Sequence, residues 1–197
     1  MIEKDGRTVG GRWRQFFTGV LFLPRNVTNL MRIMMGGPVL TASYLYGRRW
    51  GFFADVWFLV KNTRMATKVM MGGMISEAFR ERLMLAVTAV YGCRYCSWLH
   101  TGEALKSGIE EGEIAALLTG SVDNCPEEEA IALLYAQHWA DSDARPEPEA
   151  VRRLEEAYGA EKAEMINLIL HMNRLGNLSG NAGDHFLHRV SFGKWGK

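Results

Sequence analysis

The sequence predicts an all-α protein: a helical bundle built on two antiparallel helices between Ser76 and Gly108, with an additional helical N-terminal extension. Apolar residues recur at helical spacing along most of the chain, while glycine pairs and prolines separate the stretches. No alternating pattern is long enough for a strand, and there is neither a Gly-rich phosphate loop nor an internal repeat of about 20–50 residues. At 197 residues and 48% apolar content the chain can bury a sizeable core, which excludes a disordered polypeptide. Antiparallel packing about the 76–108 pair is the expected arrangement.

Taken in order, residues 1–75 form a basic, aromatic-rich extension. Residues 1–11 are a lead-in ending in a glycine pair. Residues 12–23 place Trp13, Phe16, Phe17 and Val20 at helical spacing beside Arg12 and Arg14. Acidic Glu3 and Asp5 precede these arginines and no small-residue cleavage site follows Leu23, so a signal peptide is not expected. Peripheral membrane contact through 12–23 is the alternative to packing on the core or a neighbouring subunit, and packing is the favoured reading. Asn26–Met35 and Thr41–Tyr46 read as short helical pieces separated by Gly36-Gly37-Pro38. Trp50–Val60 reads as a buried helix, with Asp55 facing an arginine or solvent, and the methionines of 61–73 as fillers of irregular packing gaps.

Residues 76–180 form the core. Ser76 is a suitable N-cap, Glu77 suits the positive first turn, and Leu83 to Ala89 give a helix with little polar surface, ended by Gly92. A second helix runs from Cys93 to Ser107 and is closed by Gly108. An acidic-start helix then ends at Gly120. Pro126 opens the next, which runs to about Ala140 with Ile131, Leu134 and Tyr135 inward and a structural His138 near its end. After the polar loop DSDARPEPE, Ala150–Tyr158 and Glu161–Leu175 complete the set, and residues 181–197 read as a C-terminal docking tail.

Chemistry concentrates on the second helix. Cys93 and Cys96 are three apart, Cys96 and His100 four apart, so the three share one face. The sulfurs can close a short disulfide if the first turn is loose. A cysteine in a first turn feels the helix dipole, which favours thiolate, and a histidine one turn on can take its proton. Glu81 is the candidate to orient that histidine. If the helices fold back at Gly92, Glu81 lies roughly 16 Å and His100 roughly 12 Å from the turn at 1.5 Å per residue, so the two can meet directly or through a water.

Glu81, eleven residues, Cys93-x-x-Cys96, three residues and His100 resemble the AhpD-like, alkylhydroperoxidase branch of the carboxymuconolactone decarboxylase family. Similarity continues through DNCPEEEAIALLYAQHWAD to MINLILHMNRLGNLSGN, about residues 76–180. The resemblance implies an AhpD-like helical bundle and a thiol-dependent peroxidase acting on small organic hydroperoxides through a Cys93/Cys96 redox disulfide. It also implies a dithiol reductant, either a lipoylated or a thioredoxin-like protein. Asn173 and Arg174 fall where they line or brace the family's site. The residue before the second cysteine, often a histidine in peroxidase-proficient members, is Tyr95 here, a candidate modulator of the proton relay. Decarboxylation is disfavoured because the redox branch carries this cysteine pair.

Two other classes stand beside this reading. Cys93, Cys96 and His100 with Glu81 or Cys125 are the right types for tetrahedral zinc, although structural zinc usually takes ligands from two separated pairs. A non-enzymatic oligomeric or membrane-peripheral module would leave the cysteines as bystanders or a redox sensor. Three cysteines with one C-x-x-C pair fit a reducing, cytoplasmic setting. Residues 1–70 carry 11 Lys and Arg against 3 Asp and Glu, and the remainder 12 against 19. Such opposite halves attract each other within the fold or across an interface. A homo-oligomer is expected, since so apolar a set of helices would otherwise expose large patches. No cofactor and no nucleic-acid partner are expected.

Overall fold

The computed structural model describes residues 53–71 and 73–196, all within one compact unit spanning Trp50–Lys197. The helices expected at 12–23, Asn26–Met35 and Thr41–Tyr46 lie outside the described residues, as does the membrane-facing role considered for 12–23.

The core is organised around α3 (Glu77–Tyr91). The Ser76 hydroxyl accepts the Phe79 N–H at 3.1 Å, satisfying one of the donors that a helix start leaves unpaired. Six consecutive residues, Leu83 to Thr88, are buried, so α3 is covered on all sides instead of showing one solvent face. Gly92 ends it at φ 66°, ψ 30°, a left-handed conformation that glycine enters without a Cβ clash. The chain reverses there into α4 (Arg94–Lys106), which closes at Gly108, φ 86°.

Around α3 pack α5 (Glu111–Thr119), α6 (Ala130–Asp141) and α8 (Ala160–Val190), with α7 (Pro148–Tyr158) against α6 and α8. Gly120 stops α5 in the left-handed region. Pro126 precedes a single 3-10 turn, Glu127–Glu129, so α6 starts a few residues later than its proline suggests. Its buried face is Ala132, Leu133, Tyr135, Ala136 and Trp139; Ile131 and Leu134, expected inward, are half-buried. His138 pairs with Glu147, tying the end of α6 to the start of α7. Among the described residues there is no strand, and no helix is long and apolar enough to cross a membrane.

Two expectations about the early helices need correction. The helical residues 53–61 (α1) bury Asp55 completely, but Phe53, Trp57 and Val60 are each about 60% exposed. This segment is therefore an amphipathic wall, not a buried helix. In and after α2 (Thr63–Met70), Met70, Met71 and Met74 are exposed, and only Met65 sits partly against the core. Asp55 does face an arginine, but a distant one. Arg174 Nη1 donates to Asp55 Oδ2 at 2.7 Å and Arg174 Nη2 to Asp143 Oδ1 at 2.7 Å. His171 Nδ1 lies 2.6 Å from Asp55 Oδ1, its ring between Phe58 and Trp139. This buried knot fastens α1 and the left-handed turn at Asp143–Ala144 to α8.

The C-terminal helix also differs from expectation. Instead of ending near Leu175, α8 runs unbroken for 31 residues to Val190, through Gly176, Gly180 and Gly183. Buried Asn173 and Asn177 explain its path. Asn173 donates to Met84 O at 2.5 Å, and both amides donate to Thr88 Oγ1 at 3.2 Å, so α8 is pinned to α3 by hydrogen bonds inside the core.

Candidate functional site

The reversal at Gly92 brings α3 and α4 side by side, and with them two of the four residues singled out by spacing. Glu81, in the second turn of α3, is 4% exposed. Its Oε2 lies 2.9 Å from His100 Nδ1, and its Oε1 accepts from Arg80 Nε at 3.3 Å. With an acidic oxygen facing Nδ1, the neutral ring carries its proton there and leaves Nε2 as the free acceptor. Arg174, expected to line or brace the site, belongs to the Asp55 knot, whereas Asn173 braces α3 from behind.

The cysteines occupy the start of α4. Cys93 is its N-cap, with extended backbone at φ −76°, ψ 110°, and its Sγ accepts the Cys96 N–H at 3.3 Å. A thiol thus stands where serine or aspartate usually caps a helix. Cys93 is fully buried and Cys96 is 9% exposed; both are free thiols. His100 sits one turn beyond Cys96 on the same helix face.

The electrostatics overturn one expectation. The helix start was expected to favour a Cys96 thiolate, but its thiol is pushed up to about 12. Burial is the main cause, followed by the hydrogen bond and charge interaction with Cys93. Desolvation outweighs the partial charge of the helix end because Cys96 has almost no water around it. Cys125 is likewise raised to about 12, first by burial and then by Glu113. It stands beside the Arg82, Glu113 and Glu129 ion-pair group, in which Arg82 Nε donates to Glu113 Oε1 at 2.5 Å. Among the described residues, no group of three or more His, Cys, Asp or Glu side chains is arranged to hold a metal ion. The zinc set of Cys93, Cys96, His100 and Glu81 or Cys125 is therefore not assembled.

Tyr95, in the first turn of α4, reaches α8. Its hydroxyl donates to Asp184 Oδ1 at 3.1 Å, and Arg94 Nη2 donates to both that oxygen, at 2.5 Å, and the Tyr95 hydroxyl, at 2.8 Å. Asn181 Nδ2 adds a bond to Tyr91 O at 3.0 Å. Asp184 and Gly180, which backs onto the cysteines, were not singled out from the sequence. The available signal was a glycine in a long helical stretch, which weakens a helix unless a neighbour comes close.

Residues 58–137 match the sequence model of the Carboxymuconolactone decarboxylase family. The match includes Glu81, both site cysteines and His100, and starts earlier and ends earlier than the resemblance read from residues 76–180. No curated protein matches the chain, and no solved structure matches it.

Proposed function

We propose that the protein is a thiol peroxidase of the alkylhydroperoxidase type, using Cys96 as nucleophile, Cys93 as resolving thiol and His100, oriented by Glu81, as base. The observation that carries this reading is the partly buried Glu81–His100 hydrogen bond on the helix pair that presents Cys93-x-x-Cys96. A nucleophile, a base and a group that orients the base are what activation of a weak nucleophile requires. The matched family includes both decarboxylases and peroxidases of this type, and the cysteine pair favours the latter.

His100 Nε2 takes the Cys96 proton, directly or through one water, at the moment of attack. That timing matters because a thiol raised to about 12 is almost entirely protonated at neutral pH. The Cys96 sulfur attacks the terminal peroxide oxygen and the O–O bond breaks. Cys93 gives its proton to the departing alkoxide, releasing the alcohol. Cys93 sulfur then attacks the sulfenic acid of Cys96, and hydroxide leaves with the proton held on His100, giving a disulfide and water. A dithiol donor, a lipoylated or thioredoxin-like protein, supplies two electrons and two protons to restore the thiols. Tyr95 acts as modulator by fixing the first turn of α4 to Asp184.

The functional unit in this reading is a homo-oligomer. Trp57, Trp98, Phe192 and Trp195 are each more than 60% exposed, a large apolar surface for one chain. Light scattering is expected to give a mass that is a multiple of 22.2 kDa; a monodisperse monomer contradicts the assembly. The enzymatic reading is tested by following consumption of an organic hydroperoxide with dihydrolipoamide as donor. Turnover is expected in the native chain and lost in Cys96→Ser. Native protein without turnover, or equal turnover in the variant, refutes it.

A further inference from the structure

Behind the thiol pair the wall is backbone, with no side chain. A Cβ built on Gly180 falls 2.6 Å from Cys93 Sγ, 3.7 Å from Cys96 Sγ and 3.9 Å from Tyr95 Cδ2. Heavy atoms pack best at about 3.5–4.0 Å, so the Cys93 sulfur would have to retreat by about 1 Å. It has little freedom to do so. Cys93 is wholly buried and has one side-chain torsion to its sulfur, which is held against the Cys96 N–H at 3.3 Å. Nor is α4 free to lift away from α8, because Arg94 and Tyr95 both hold Asp184, one turn beyond Gly180. Gly176 and Gly183, on the same helix, have nothing within 4 Å of an added Cβ.

We propose that Gly180 is a positioning residue for the dithiol: its missing side chain leaves the space in which Cys93 Sγ sits at the start of α4 and closes on Cys96. The redox consequence rests on the function proposed above; the packing does not. When the pair is oxidised, each sulfur loses its proton, an S–S bond forms and two electrons pass to the oxidant. With glutathione disulfide as the probe, the products are the protein disulfide and two glutathione thiols. A methyl group at 180 crowds both states but costs the disulfide more than the dithiol, because the bond to Cys96 removes what little give the free Cys93 thiol has. A misplacement of about 1 Å slows such a closure by about 100-fold. Weakening the disulfide by at least tenfold in equilibrium constant makes the reduction potential about 30 mV less negative.

The test uses the full chain carrying Gly180→Ala, with Gly176→Ala as the control for the common effect of replacing a helical glycine. Glutathione redox titration is expected to show the potential moved by about 30 mV or more in Gly180→Ala and unmoved in Gly176→Ala. A Gly180→Ala protein with the native potential overturns the proposal. A stability cycle with Cys93→Ala, run on reduced protein, decides the packing independently. Gly180→Ala should lower Tm when Cys93 is present and should not when Cys93 is alanine, so the double variant folds even if the single one does not. Equal effects of Gly180→Ala in both backgrounds overturn the proposal. If the native pair forms no disulfide with glutathione, the peroxidase reading fails while this cycle still decides the role of Gly180.

Discussion

Replacing Glu81 by glutamine keeps the shape of the side chain and removes its charge. In the native protein the carboxylate accepts from His100 Nδ1 at 2.9 Å and from Arg80 Nε at 3.3 Å, in a setting only 4% exposed. The amide can offer its oxygen to only one of them and turns a donor toward the other. His100 then lacks the fixed anionic partner that leaves Nε2 free to accept a proton. A positioned general base contributes about 10²–10⁴-fold to rate, so kcat/KM for an organic hydroperoxide is expected to fall by about 100-fold or more. Hydrogen bonds to charged groups contribute about 1.5–3 kcal/mol, which in a chain of this size lowers Tm by about 3–12 °C. The assay is therefore run well below the variant's transition, with circular dichroism confirming native helix content. A folded Glu81→Gln protein within twofold of native activity would refute the relay.

With its pKa raised by burial and by Cys93, Cys96 holds far less thiolate at neutral pH than a free cysteine does. Iodoacetamide labelling of Cys96, read by peptide mass spectrometry, should therefore climb steadily with pH up to at least 10; a plateau near neutrality would show a stabilised thiolate instead. Asp55→Asn should be among the most damaging single changes, since it strips buried Arg174 and half-buried His171 of their shared carboxylate. Removing one partner of a buried pair costs about 3–5 kcal/mol, and a Tm within 2 °C of native would rule out the knot as a fastening of α1.

The sequence made the site helices legible because their signals are local. Ser76, Gly92 and Gly108 are end signals whose physics lies within one turn, and the spacing from Glu81 to His100 needs only helical rise and one reversal. The course of α8 was harder to read. Gly176, Ser179, Gly180 and Gly183 look like a helix end, yet the helix persists because Asn173, Asn177, Asn181 and Asp184 are held by α3 and α4. Those partners lie about 90 residues away in the chain, and local propensity carries no trace of them. The thiol environment was misjudged for a similar reason. A helix start can be read from sequence, whereas the burial that outweighs it depends on what packs above. The same holds for Trp57 and the exposed methionines, whose hydropathy suggested an interior that the fold places elsewhere.

The most direct measurement is a thiol count on the purified chain before and after one equivalent of organic hydroperoxide, with Cys96→Ser treated in parallel. The account predicts that the native protein loses two of its three thiols, that a dithiol restores both, and that the variant loses none. Native protein that keeps all three thiols after peroxide would contradict a Cys93/Cys96 redox cycle.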